Sequence, residues 1–199
     1  PIKILLKDSS ANVLKTVKVH PLHTVDIAVI DITANLKKIP NWRIAGVDTS
    51  FLILLKDISE ATGLSLGSQI FTIGYPAGLK LESSNQPIAK VCYVASSLNG
   101  TLKVRTQIVD KKKKAISVVP DGRYFLVDGL IIGGNSGGPI INPQGVRTKM
   151  IGNDIYYSNK SIPNLFIGIV SSGFGNTGIT IVYSCDNIRE IIDKFPTNY

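Results

Sequence analysis

Gly133-Gly134-Asn135-Ser136-Gly137-Gly138-Pro139 puts four glycines and one serine into seven residues. A largely apolar run, Tyr124 to Ile132, leads into it. Ile140-Ile141 follows, and then Asn142-Pro143-Gln144-Gly145. The order is strand, tight loop, strand, turn. Glycine reaches positive φ without steric cost and lets a second backbone approach closely. Such a loop can push one hydroxyl outward while aiming backbone N–H groups at a neighbouring point. Acyl transfer needs that pairing of a nucleophilic oxygen with oxyanion donors. Gly-Asn and Gly-Gly are also ordinary hairpin turns, so the heptapeptide alone leaves both readings open.

The rest of the chain narrows the choice. A length of 199 residues suits one large domain or two small ones, and the 44% hydrophobic fraction allows a sizeable core. No stretch approaches 18 apolar residues, which argues against a membrane-spanning helix. The opening Pro1-Ile2-Lys3-Ile4-Leu5-Leu6 reads as a strand, not an export leader. Compartment stays open, because there is no initiator Met and this need not be the true start. Cys92 and Cys185 are too few for a disulfide framework or a zinc site, and each sits in an apolar run as a small buried hydrophobe. A single Cys92–Cys185 bridge remains open. The net charge is +8. Apart from Lys111 to Lys114 the basic residues are scattered, and no aromatics interleave with that run. It reads as a solvated loop and argues against nucleic acid as a partner.

In chain order, Ile2 to Leu6 and Val13 to Val19 read as strands. His20-Pro21-Leu22-His23-Thr24 leads into Val25 to Ile32, a buried strand with Asp26 near its entrance. A buried carboxylate there costs free energy unless it has a partner, so Asp26 taken alone reads as an exposed residue at the strand start. Phe51 to Leu55 reads as a strand, and Gln69 to Pro76 closes the first half. Polar residues from Leu81 to Pro87 read as a linker. Ala89 to Ser96, Thr101 to Val109, Ala115 to Val119 and Tyr124 to Asp128 follow as strands. After the serine loop come Ile140-Ile141, Asn153 to Tyr157, Leu165 to Ser171 and Gly178 to Ser184. Short strands at this spacing predict antiparallel barrels or sandwiches. At the end, Ile188, Ile191, Ile192 and Phe195 fall at helical spacing. Asn187 with Glu190 resembles a capping box, and Pro196 marks the helix end.

Several stretches together resemble a chymotrypsin-fold serine peptidase, in particular the trypsin-like domains of the HtrA/Deg type. Val127 to Asn142 is similar to that family's nucleophile stretch. Asp26-Ile27-Ala28-Val29, with His20-Pro21 ahead of it, resembles the surroundings of its catalytic acid. Ile73-Gly74-Tyr75-Pro76 and Gly168 to Gly173 resemble the end of the first barrel and the segment that pairs with substrate backbone. The resemblance implies an all-β double six-stranded antiparallel β-barrel with a C-terminal helix. Residues 1–82 would form a first barrel, incomplete at its N-terminus, 83–88 a linker, and 89–199 the second barrel. It implies peptide-bond hydrolysis of peptide or protein substrates without metal or organic cofactor. Ser136 would be the nucleophile, the Gly134 and Ser136 N–H groups the oxyanion hole, and Asp26 the acid that orients the base. Ser171, Ser172 and Gly173 would bind substrate main chain. Leu130 would floor the specificity pocket, with Gly173 and Gly178 on its walls, favouring an apolar side chain before the scissile bond. Asp128, two residues from Leu130, is the competing occupant and would favour Lys or Arg.

The chain departs from the pattern at the base. The family's catalytic histidine precedes the acid by some tens of residues, and here only His20 and His23 exist. Both sit just before Asp26, and His23 is three positions from it, which on a strand puts the two on opposite faces. The expectation is a histidine upstream of Pro1, on an N-terminal segment or second chain that completes the first barrel. The alternative is an inactive pseudoprotease that binds peptide or protein.

Overall fold

The computed structural model describes residues 17–22, 25–32, 48–79, 86–98, 106–109, 115–118, 123–129, 131, 133–143, 145–151, 154–162, 165–173 and 177–194. In chain order the strands begin with β1 (Val17–Val19), β2 (Ala28–Ile30), β3 (Gln69–Gly74) and β4 (Ile88–Val94). Then follow β5 (Thr106–Val109), β6 (Ala115–Val118), β7 (Tyr124–Asp128) and β8 (Pro139–Asn142). The last are β9 (Gly145–Ile151), β10 (Asp154–Ile162), β11 (Leu165–Gly173) and β12 (Ile179–Ser184). Two α-helices, α1 (Leu55–Thr62) and α2 (Cys185–Ile192), complete the set.

Six strands close into one antiparallel barrel in the order β11-β12-β7-β4-β3-β8. Alternation explains which side chains fill it. Along β3, Ile70 and Thr72 are buried while Gln69 is exposed. Opposite them, Cys92 and Val94 of β4, Phe125 and Val127 of β7, Ile140 of β8, and Ile167 and Val170 of β11 point into one apolar core. Ile58 of α1 joins that core and is fully buried. β1–β2, β5–β6 and β9–β10 each form a two-stranded antiparallel sheet. Among the described residues this barrel is the one that closes. Gln69–Gly74, which the sequence places in the first half, is one of its strands, paired with β4 and β8.

Several expectations need correction. Phe51 to Leu55 is not a strand. A 3-10 turn over Thr49–Phe51 gives way to a single bridge between Leu52 and Phe166, and then α1 starts at Leu55. The Leu55 N–H donates to Asp186 Oδ2 at 2.9 Å, so this helix takes its cap from a carboxylate 131 residues away. The C-terminal helix starts at Cys185 with Ser184 at the N-cap, not at Asn187. Asn187 is instead buried inside the first turns. Its Nδ2 donates to Arg123 O at 2.6 Å, and its Oδ1 accepts from Arg123 N at 3.3 Å. Ile188 and Ile191 are buried as the helical spacing predicts, whereas Phe195 and Pro196 lie outside the described residues. β9 is a strand the sequence reading passed over. The expected strand at Ile2 to Leu6, His23, Leu130 and the Lys111 to Lys114 run also lie outside the described residues.

The thiols of Cys92 and Cys185 are both free and buried. Burial pushes both thiols up, and for Cys185, with Asp186 adding to the effect, to about 12. Neither should react with a thiol reagent at pH 8 until the chain unfolds in guanidinium; native-state labelling would contradict their placement. The folded value for Cys185 lies above its ordinary 9.0, so the stability it contributes is complete below pH 9 and is lost as pH rises towards 12. Among the described residues no helix is long and apolar enough to cross a membrane.

Candidate active site

The serine loop is held between two parts of the barrel by main-chain bonds. On one side, the turn leaving β3 donates into it. Tyr75 N bonds to Gly134 O at 3.2 Å and Ala77 N to Gly133 O at 2.6 Å. On the other side, Gly137 N donates to Val170 O and Val170 N to Gly138 O, each at 2.9 Å. Gly138 N closes the loop on Asn135 O at 2.8 Å. Gly134 has φ +97°, and a Cβ there would collide with the Tyr75 carbonyl, so only glycine fits. Gly74 is required for a different reason: a Cβ would stand 2.6 Å from Asn135 Oδ1. Asn135, within the loop, is fully buried, and among the described residues neither polar atom of its side-chain amide has a partner.

Ser136 is exposed, and its Oγ donates to Ser171 O at 3.1 Å. Among the described residues, the N–H groups of Gly134 and Ser136 donate to no protein acceptor. One hydroxyl therefore sits on a loop that offers two free amide donors. Ser171 and Ser172 fall where the β11–β12 register shifts, between Val170↔Val182 and Gly173↔Thr180. The shift leaves their backbone outside that ladder, and Ser172 and Gly173 are exposed. The structure thus brings Ser136, Gly134 and Ser171 together.

The candidate pocket walls are close to one another. A Cβ on Gly173 would lie 3.6 Å from Ile179 O, 3.8 Å from Thr180 Oγ1 and 3.9 Å from Ile131 O. Gly178 accepts from Gly129 N at 3.1 Å through its carbonyl. Asp128 is exposed, and its Oδ1 stands 3.6 Å from the position a Gly178 Cβ would take. Its carboxylate is therefore beside one of the two wall positions.

Asp26 is exposed, as the plain reading of a strand-start carboxylate expects, and not buried as its role in the resembled family implies. It is exposed just ahead of β2, while Val25 and Ile27 on either side are buried against Tyr124, Ile181, Tyr183 and Ile191. The chain turns here, with Ile27 N donating to Val25 O at 2.9 Å across Asp26, so the flanking apolar residues anchor the turn without covering the carboxylate. His20 is buried, and its Nε2 lies 3.2 Å from Glu190 Oε2 on α2. It is engaged in a structural pair and faces neither Asp26 nor Ser136 through any described hydrogen bond. That pairing had no signal in the sequence, since Glu190 is 170 positions away. Among the described residues no three His, Cys, Asp or Glu side chains gather to hold a metal ion. No protein-family model matches the chain, and no curated protein matches it.

Proposed function

We propose that the protein is a serine endopeptidase of the chymotrypsin-like double-barrel type. One observation carries the reading: the Ser136 hydroxyl is exposed on a glycine loop whose Gly134 and Ser136 N–H groups have no protein acceptor among the described residues. In this reading Ser136 Oγ attacks the substrate carbonyl, and its proton passes to a histidine encoded ahead of Pro1. The two N–H groups hold the developing oxyanion. Collapse expels the amine leaving group, and water then releases the acyl group from Ser136. Asp26 orients the histidine, and the backbone of Ser171 to Gly173 receives the substrate strand. The engagement of His20 with Glu190 favours the rival reading, a non-catalytic peptide-binding module, if no upstream histidine exists. A fluorophosphonate probe on the full-length protein tests this. An adduct on Ser136 supports the reading, and a folded full-length protein that takes no label removes it.

Specificity is read from the walls. An apolar side chain before the cut gains about 1.5–3 kcal/mol from burial, whereas a lone cation loses hydration. Profiling on a mixed peptide library should show a medium or large apolar residue there. Dominant Lys or Arg would mean that Asp128 lines the pocket. Gly173→Ala should fold normally, because its Cβ makes only ordinary contacts of 3.6 Å or more. The added methyl narrows the slot facing Ile131 O, so kcat/KM for bulky side chains should fall about tenfold while Gly and Ala substrates are spared. Equal loss across all substrates would place the pocket elsewhere.

A further inference from the structure

The geometry points to His20 and Glu190 as positioning residues for Asp26, a latch whose contact to Leu22 is made only while the His20 ring is neutral. The role of Asp26 rests on the peptidase reading; the latch itself does not. The His20 side chain is wholly buried. Its Nδ1 accepts the Leu22 N–H at 3.2 Å, and its Nε2 faces Glu190 Oε2 at 3.2 Å. An ionised carboxylate can only accept, so Nε2 carries the ring proton and Nδ1 is bare. The contacts thus select the Nε2–H tautomer. A second proton at Nδ1 would point at the Leu22 N–H, donor against donor.

That ring closes a turn in which Asp26 stands. The His20 backbone N donates to Ile27 O at 3.0 Å, and Val25 N donates to Leu22 O at 3.0 Å. Val25 and Ile27 press into the apolar cluster on either side of Asp26. The turn is therefore fixed at three points: the ring on Leu22, the main chain at Ile27, and Glu190 on α2. Among the described residues, Glu190 is the charged group facing the ring from α2. Arg123, ahead of β7, reaches Glu190 Oε1 at 3.5 Å and holds Asp186 Oδ1 at 2.9 Å. β7 and β12 add Tyr124 and Tyr183 from the cluster, and the hairpin itself adds Asp26. Double protonation of His20 would release Leu22 and loosen the Asp26 turn from within, even as it strengthens the charge attraction to Glu190.

The experiment is a pH titration of the full-length protein by NMR. At neutral pH the His20 ring should show a proton on Nε2 and none on Nδ1. As the ring takes its second proton, the backbone amides of Leu22 and Asp26 should shift with the same midpoint. A proton on Nδ1 at neutral pH would overturn the latch, and so would a ring that titrates while both amides stay still. Glu190→Gln keeps an acceptor for Nε2–H and should preserve the tautomer while moving the midpoint. An unmoved midpoint would show that Glu190 does not act on the ring. On the peptidase reading, His20→Gln should lower kcat about tenfold with KM unchanged. A wild-type protein that shows the linked titration but takes no fluorophosphonate would sink the peptidase reading and leave the latch standing.

Discussion

On the proposed peptidase reading, Ser136→Ala is expected to lower kcat/KM of the full-length protein by about 10⁴-fold to 10⁶-fold, leaving only what the amide donors and substrate binding supply. The same substitution should leave thermal stability within about 0.5 kcal/mol of wild type, because the hydroxyl is exposed and its single bond is to the Ser171 carbonyl. Hydrolysis rates and unfolding curves measured on one preparation separate the two effects. Activity retained in a clean Ser136→Ala sample would assign catalysis to another group. Gly134→Ala should lose activity as well, but with an unfolding curve that also shifts, because the new Cβ strikes Tyr75.

The largest loss of stability is expected at Asp186. Its side chain is only 6% exposed, and three donors converge on it. Leu55 N, Ser184 Oγ and Arg123 Nη1 each lie 2.9 Å from one of its oxygens. Asp186→Ala leaves the start of α1 uncapped and takes away the acceptor of the buried Ser184 hydroxyl. Leaving two donors, Leu55 N and Ser184 Oγ, without their acceptor costs about 1–3 kcal/mol each, a large share of the 5–15 kcal/mol by which domains are stable. The Arg123 side chain is 58% exposed, so its part of that loss is small and screened by salt. Asp186→Asn keeps an acceptor and should cost roughly half as much. Urea denaturation checks the pair. A loss below about 1 kcal/mol for the alanine variant would show that α1 finds its cap elsewhere.

Local signals and distant partners divide what the sequence reveals from what it hides. The serine loop is legible because glycines at 133, 134, 137 and 138 state its backbone demands directly. The barrel strands β3, β4, β7, β11 and β12 are legible because apolar residues alternate or run continuously along them. α1 is not legible in that way. Leu55 and Ile58 have helical spacing, but the apolar run Phe51 to Leu55 looks like a strand. The feature that starts the helix is Asp186, far along the chain. Asn187 misleads for a related reason. Its amide matches a cap in type and position, yet it is spent on the Arg123 backbone, and the helix begins earlier. Val146, Thr148 and Met150 alternate with Arg147 and Lys149 along β9, but nearby turn residues overshadow that period. At the site, Ser136 and its donors follow from local pattern. The exposure of Asp26 agrees with its place at a strand start, whereas the capture of His20 by Glu190 follows from tertiary packing.

The braces of the serine loop are amides and carbonyls, from Tyr75, Ala77 and Val170. A main-chain bond is indifferent to the side chain that its residue carries. Substitution at positions 75 and 170 can therefore proceed over generations without moving the hydroxyl of Ser136, so long as the strands keep their apolar faces, whereas Ala77, at φ +53°, disfavours β-branched side chains. Mutational freedom at this site is confined by a few glycine positions, Gly134 and Gly138 foremost, where a methyl group would strike a backbone carbonyl. Lineages of such a protein could drift far apart in sequence and still present the same reactive oxygen to the same pair of donors.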